Sequence, residues 1–317
     1  MRIVAALGGN ALLKSGQKGT AEEQYANIET ACRQLVRIAA EHELVITHGN
    51  GPQVGRINLQ NEAAREETPT LPLDICGAMS QGQIGYMLQQ GLSKELSRQG
   101  LELDPVTVVT RILVCKDDPT LVSPGKPIGS YFSRKEAEAR ARDLGEKWIE
   151  DKTRGGWRKV VASPRPVWIV EERAIKTLLE NRFLVIALGG GGIPVLGSEQ
   201  GGYQGVEAVV DKDLAGGILA DAVGATIFLI LTDVPAVYLD YGKPTQRPLG
   251  TVSLDEMVSY SREGHFAAGS MGPKVEAAVK FARERGHKTI ITSLELALEA
   301  IEGRAGTCLA ASGCGEA

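Results

Sequence analysis

Short, continuous apolar runs, each followed by a stretch of helical periodicity, set the limits on what this chain can fold into. Ile3–Leu7 leads into a helix near 20–42, in which Ile28, Ala31, Cys32, Leu35, Val36 and Ala39 recur at helical spacing. Leu44–Thr47 is the second run, followed by helical sequence at roughly 52–66 and 79–98 and then a strand at Val106–Thr110. Later come strands at Phe183–Leu188, Ile227–Leu231 and Thr289–Ile291, separated by helices near 171–181, 212–222, 253–263 and 273–286. Strands apolar on both faces need cover on both faces, and strands alternating with helices pair in parallel through crossovers. The pattern therefore predicts an α/β fold with a mostly parallel sheet. Ligands of such folds bind beyond the carboxyl ends of the strands. Glycine clusters fall at those ends, at 8–9, 49–51, 189–192, 201–202 and 269–272.

One segment breaks the alternation. Residues 115–165 are rich in Lys, Arg, Pro and Gly, with a single modest helix expected near Arg134–Trp148. Asp117-Asp118-Pro119 opens the segment and Pro164-Arg165-Pro166 closes it. It reads as a small protruding lid subdomain inserted in one domain over 1–317, or as an ordinary surface insertion. Cys308 to Ala317 reads as a frayed tail.

Composition removes several classes of function. The chain is 43% hydrophobic and 23% charged, which excludes disorder, collagen and coiled coil. A net charge of −4 without a basic stripe argues against a nucleic-acid partner. Phe183–Leu188 and Thr226–Leu231 are far shorter than the ~20 residues of a bilayer span, so no membrane role is expected. Met1–Leu7 resembles a signal peptide only until Gly8-Gly9-Asn10 interrupts it, and it reads as a first strand. Five scattered cysteines without a C-x-x-C pair suit a reducing cytoplasm and offer no metal site. Cys32 falls on the apolar face of its helix.

Two lysines stand where helices should begin, in Val210-Asp211-Lys212-Asp213-Leu214-Ala215 and Gly269-Ser270-Met271-Gly272-Pro273-Lys274. A first turn favours acidic residues, so a cation there is unfavourable. Pro273 suits the first helical position. An anion held between a lysine and the free N–H groups reverses the sign of that effect. Either lysine alone reads as a solvated cation, but two beside glycine-rich loops point to phosphate handling. The known phosphate fingerprints are absent: Gly125-Lys126 and Gly242-Lys243 are each followed by Pro, and the third glycine of a dinucleotide motif is missing after Gly189. Leu7-Gly8-Gly9-Asn10-Ala11-Leu12 and His48-Gly49-Asn50-Gly51-Pro52-Gln53-Val54-Gly55 instead follow adjacent strands. Their glycines let backbone N–H groups approach a very small anion, and their asparagines add amides.

Those loops, with Lys126-Pro127-Ile128-Gly129, Ala187-Leu188-Gly189-Gly190-Gly191-Gly192-Ile193-Pro194, Asp211-Lys212-Asp213-Leu214-Ala215, Leu231-Thr232-Asp233-Val234 and Gly269-Ser270-Met271-Gly272-Pro273-Lys274, resemble carbamate kinase, of the amino-acid-kinase superfamily. The blocks match in order from residue 1 to about 307. The resemblance implies a three-layer αβα sandwich with an open, mainly parallel central sheet, a homodimer, and phosphoryl transfer between ATP/ADP and carbamate or carbamoyl phosphate with Mg²⁺. It further implies that Gly8, Gly9, Asn10, Gly49, Asn50 and Gly51 hold the carbamoyl substrate. Lys212 and Lys274 would flank the transferred phosphoryl group, with Asp213 orienting them. Lys126 would reach over from the mobile subdomain. Thr232, Asp233, Val234, Tyr238, Gly269 and Met271 fall at the nucleotide pocket, and Mg²⁺ would ride on the nucleotide phosphates. The chain departs from the family pattern after Gly129, where Ser130-Tyr131-Phe132 replaces the usual Pro-Phe-Tyr and loosens the expected lid, and again beyond Gly306-Thr307.

Phosphoryl transfer needs in-line positioning and positive charge on the equatorial oxygens more than covalent help, which lysines and backbone N–H groups supply. Carbamate is already anionic and needs no general base, so His48 reads as a structural strand-end residue. With about four heavy atoms at ~1.5 kcal/mol each, carbamate binds at tens of micromolar at best, which favours ATP synthesis as the easier direction to saturate. The nearest rival is a sister kinase acting on another carboxylate, which would need an arginine clamp; Arg56 is the nearby arginine and reads as solvated. A catalytically inactive nucleotide sensor is the other rival, and the presence of all three lysines argues against it.

Overall fold

Residues 1–14, 16–151, 155–267, 269–285 and 287–310 are described by the computed structural model. Eight strands form the central sheet, in the order Thr251–Ser253, Thr307–Ala310, Lys288–Ser293, Ile227–Thr232, Arg2–Leu7, Glu43–His48, Leu184–Ala187 and Pro105–Val108. The last six of these run parallel. The first two run opposite to them, since Thr307–Ala310 pairs antiparallel with Lys288–Ser293 and parallel with Thr251–Ser253.

Alternation along the first strand shows why the molecule has three layers. Ile3, Ala5 and Leu7 face one way, into a core completed by Ile28, Leu35, Ile84 and Leu92 of the helices Ala21–Ala39 and Leu73–Gln99. Val4 and Ala6 face the other way, into a core with Ala215, Leu219, Ala278 and Phe281 of Lys212–Ala222 and Met271–Arg285. In that second core Phe228 is fully buried and meets Phe281 edge-on at 5.8 Å. Truncating such a side chain typically costs about 3–5 kcal/mol. Helix starts are set locally by reciprocal side-chain caps at Thr20/Glu23, Ser133/Glu136 and Ser253/Glu256.

Three features depart from the sequence expectations. Cys308–Ala310, read as frayed tail, belongs to a sheet strand with Leu309 buried; residues 311–317, including Cys314, lie outside the described residues. A second, four-stranded sheet was not anticipated: Tyr203–Gly205, Ile193–Gly197, Arg111–Val114 and Pro166–Ile169. Within 115–165, besides the helix Arg134–Leu144, there is a three-stranded antiparallel sheet of Lys126–Phe132, Trp157–Val161 and Lys147–Glu150. Trp148, expected at the end of the helix, lies in that last strand. The two ends of the segment meet at a narrow neck. There Asp118 accepts from the Arg165 and Thr120 N–H groups at 2.9 and 2.8 Å, and the Cys115 N–H donates to the Arg165 carbonyl at 3.2 Å.

Candidate active site

Three loops converge at the carboxyl ends of adjacent strands. Gly8 donates its N–H to the Leu231 carbonyl and Gly49 donates to the Leu7 carbonyl, so each loop is pinned to the neighbouring strand. Gly49 is needed for this approach: a Cβ there would lie 3.1 Å from the Gly9 nitrogen and 3.4 Å from Lys212 Cδ. Asn50 is buried and donates from Nδ2 to Ser80 Oγ at 2.8 Å. The third loop, Gly189–Gly191, follows Leu188 in a left-handed conformation (φ 58°). Gly190 has φ 68°, and a Cβ on it would stand 2.2 Å from Asn50 Nδ2. Asn10 lies in the turn Gly9–Ala11, and its side chain is outside the described residues.

Asp213 is the electrostatic centre. Only 3% exposed, it accepts from Lys212 Nζ at 2.5 Å and from Lys274 Nζ at 2.9 Å. Burial pushes its carboxyl up, and the two ammonium groups outweigh that and hold it below the ordinary carboxylate value. Lys212 is the first residue of its helix and Asp211 is the cap, accepting from the Asp213 and Leu214 N–H groups. Asp211 also faces Lys126, whose Nζ lies 3.7 Å from its carboxylate and bonds the Val210 carbonyl at 3.3 Å. Burial pulls the Lys126 ammonium down, against the pull of Asp211 and Asp213. Lys274 stands in the first turn of Met271–Arg285. Pro273 is the third helical residue, not the first as expected, and at either place its missing N–H costs no internal bond.

Lys126, Lys212, Lys274, Asp213, Gly8, Gly9, Gly49, Asn50, Gly51 and Gly269 all line one cleft of about 360 Å³. Thr232, Val234, Tyr238 and Met271 line an adjoining cleft of about 430 Å³. Thr232, Asp233, Ser270 and Lys274 belong to the walls of both, so the two clefts adjoin. Gly201-Gly202 is brought to neither: these glycines turn the hairpin between Ile193–Gly197 and Tyr203–Gly205. Arg56 is exposed and bonds the Gly19 carbonyl at 2.7 Å, away from the cleft. Buried His48 is pushed down to about 4, by burial first, against the bond from its Nδ1 to the Gly49 carbonyl, with Lys212 repelling a ring proton. It is neutral at physiological pH and holds the loop.

Sequence reasoning missed the residues beneath the loops. Gln81, on Leu73–Gln99, donates to the carbonyls of Thr110 and Gly189 and accepts from the Thr110 N–H. Thr110 Oγ1 in turn accepts from the Leu188 N–H at 3.0 Å. Ser80 and Gln81 are polar residues inside a long helix, and only the tertiary packing shows that they face the glycine loop.

Such a pair of clefts can hold a small anion on backbone N–H groups at one end, a flat ring at the other, and negative charge between them on lysines. The amino acid kinase family model matches residues 1–293. The chain belongs to that family. A carbamate kinase of Thermococcus kodakarensis is 49% identical over 310 residues, covering 96% of this chain and 98% of its relative. A carbamate kinase of Trichomonas vaginalis is 46% identical over 310 residues, with 97% and 98% covered. The solved structure of the Giardia lamblia carbamate kinase bound to AMP-PNP superposes with a TM-score of 0.92 at 44% identity, covering 98% of each chain. Within the amino acid kinase family the chain thus falls among the carbamate kinases.

Proposed function

We propose that the chain transfers a phosphoryl group reversibly between ATP and carbamate, making ATP from ADP and carbamoyl phosphate in the catabolic direction. The observation that carries this reading is the Lys212–Asp213–Lys274 triad at the junction of the two clefts, where a transferring phosphoryl group must pass. In this reading the backbone N–H groups of Gly8, Gly9, Gly49 and Gly51, with Asn10 and Asn50, hold the carbamoyl end. Thr232, Asp233, Val234, Tyr238 and Met271 hold the nucleotide, and Gly269 borders its phosphates. Lys212 and Lys274 stabilise charge on the equatorial oxygens, Asp213 keeps both ammonium groups aimed, and no proton has to move. Residues 115–165 act as a lid that brings Lys126 to the phosphoryl group.

Magnesium enters with the nucleotide. Both Asp213 oxygens are committed to lysines, and among the described residues no three His, Cys, Asp or Glu side chains group as a metal site. The ion offsets phosphate charge, and this chain's lysines supply the rest. A homodimer in the cytoplasm completes the reading. Among the described residues no helix is long and apolar enough to cross a membrane, and Ile75, Met79 and Tyr86 expose apolar surface along one helix. Sedimentation tests the dimer.

The deciding assay is ATP formation from ADP, Mg²⁺ and carbamoyl phosphate, with acetyl phosphate as control donor. Robust synthesis with strong preference for carbamoyl phosphate is expected. Folded protein that binds ADP yet makes no ATP overturns the assignment.

A further inference from the structure

Three contacts tie the three-stranded sheet of Lys126–Phe132, Trp157–Val161 and Lys147–Glu150 to the rest of the molecule. At one end Lys126 reaches the Val210 carbonyl and Asp211. In the middle, Ile128 and Val161 share a small core with Val54, Ile57, Leu73 and Cys76. There Gly55 of the helix Gly51–Ala63 comes so close that a Cβ on it would lie 3.3 Å from Gly129 Cα. At the far end Arg140 Nη1 bonds Glu62 Oε2, near the end of that same helix, at 2.5 Å.

The far contact is built with more care than a surface ion pair. The Arg140 and Glu62 side chains are 26% and 17% exposed, against 76% and 58% for Arg134–Glu138 on the same small helix. The Arg140 guanidinium lies 4.6 Å over the Phe132 ring and 6.0 Å from that of Trp148, and these two rings meet edge-on at 5.1 Å. On the other side Asn58 Nδ2 donates to Glu62 Oε1 at 2.8 Å. Both partners are therefore held in place before they pair, which lowers the entropic cost that makes most exposed pairs worth little.

We propose that Arg140 and Glu62 form a latch that positions Lys126, which makes Arg140 a positioning residue for phosphoryl transfer although it never touches the substrate. The inference rests on the reading of Lys126 as a phosphate contact. Lys126 and Phe132 are opposite ends of one strand. The strand is bulged between Ile128 and Phe132, and its ends oppose Val161 and Trp157, four steps apart at about 3.3 Å each, so the latch lies about 13 Å from Lys126. Holding the strand's middle and, through Arg140, its far end to one helix, while Lys126 meets Val210 and Asp211, fixes its tilt. A tilt of about 5° displaces the far end by about 1 Å, and a misplacement of about 1 Å costs on the order of 100-fold in a positioned reaction. Among the described residues the adenine-side cleft draws none of its lining from 115–165, so the latch acts on turnover and not on nucleotide affinity.

The test is a double-mutant cycle, read by kinetics and amide hydrogen exchange. Arg140→Gln and Glu62→Gln should each lower kcat about tenfold while KM for ADP moves less than about twofold. Combining the two should cost no more than either alone, and Arg140→Lys should restore part of the loss. In a Lys126→Ala background Arg140→Gln should cost less than about twofold, because its effect passes through Lys126. Exchange across Ile128–Phe132 should quicken about tenfold in both single variants, with the neck unchanged. A full additional loss in the Lys126→Ala background overturns the latch, as does unchanged exchange. A parent enzyme without carbamoyl phosphate activity sinks the functional reading instead. The exchange rates, which need no turnover, still decide whether the pair holds the segment down.

Discussion

Replacing Asp213 by Asn removes the charge of the site while keeping its shape. The carboxylate now accepts from two ammonium groups, whereas an amide offers one oxygen and turns its NH₂ towards the other lysine. Taking one partner out of a buried ion pair costs about 3–5 kcal/mol. Lys212 and Lys274 retain 16% and 15% of their side-chain exposure, so water relieves part of this and about 3 kcal/mol is expected. Unfolding entropy of about 2.1 cal/mol/K per residue over a chain of 317 residues turns that into a fall in Tm of about 4–5 °C. Two further signatures separate charge from packing. The Asp213 carboxyl is held below its ordinary value of 3.8, so its stabilisation is complete above that value and is lost as pH falls through the depressed one. The gap between parent and variant should therefore stay level from neutral pH to about 5 and close below about 4. The two lysines, no longer neutralised, should also recruit anions, so inorganic phosphate should raise the Tm of the variant more than that of the parent. Calorimetry across this pH range, with and without phosphate, measures all three. Equal melting temperatures at neutral pH, or a gap that persists unchanged into acid, would refute the charge-centre account.

Other substitutions test other parts of the site. Lys212→Ala and Lys274→Ala should each lower kcat by about 100-fold or more in steady-state assays, with a smaller loss of Tm than Asp213→Asn; near-normal turnover in either removes that lysine from the reaction. Gly190→Ala forces a side chain onto a backbone at φ 68° and against Asn50, so KM for carbamoyl phosphate should rise about tenfold while KM for ADP stays put. A rise in both would mean that the loop also supports the nucleotide end. His48 is neutral in the folded protein down to about 4, whereas in the unfolded chain it gains a proton below 6.5. The parent should therefore lose stability between those values, by up to about 3 kcal/mol, and His48→Gln should flatten that slope in pH-dependent denaturation. An unchanged slope would place the titration elsewhere.

Six of the eight central strands are legible, most of them because they are buried on both faces, and continuous apolar runs such as Ile227–Leu231 leave little choice of structure; Thr251–Ser253 and Thr307–Ala310 are not. The second sheet is not legible either. Its strands are short, two of them contain Pro166 or Pro194, and Trp168 and Tyr203 are exposed. The strands within 115–165 were hidden for a related reason: Lys147–Glu150 is charged at both ends and mostly exposed, so neither periodicity nor apolarity marks it. At the site, the lysines and glycine loops were visible as departures from ordinary helix-start and turn chemistry. Asp211 stands in the motif that its neighbour Lys212 singles out, and nothing in the sequence marks it as a site residue. Its two tasks, capping a helix and facing the distant Lys126, appear only when the chain is folded. Ser80 and Gln81 gave no signal at all, because a buried amide that braces a distant loop reads in sequence like any polar residue of a helix.

The wall shared by the two clefts has a consequence for inhibitor design. Because Thr232, Asp233, Ser270 and Lys274 border both, the two clefts lie side by side, and on the proposed reading a nucleotide and a small anion would be neighbours across that wall. A single compound joining an adenosine-like head to a carbamoyl-like tail needs only a short charged spacer, one that passes Lys274. Once its head is seated, the tail is presented at an effective concentration of the order of millimolar. Weak grip on a four-atom substrate then ceases to limit inhibition, and selectivity against other ATP-using enzymes comes from the tail, which meets the glycine-lined seat.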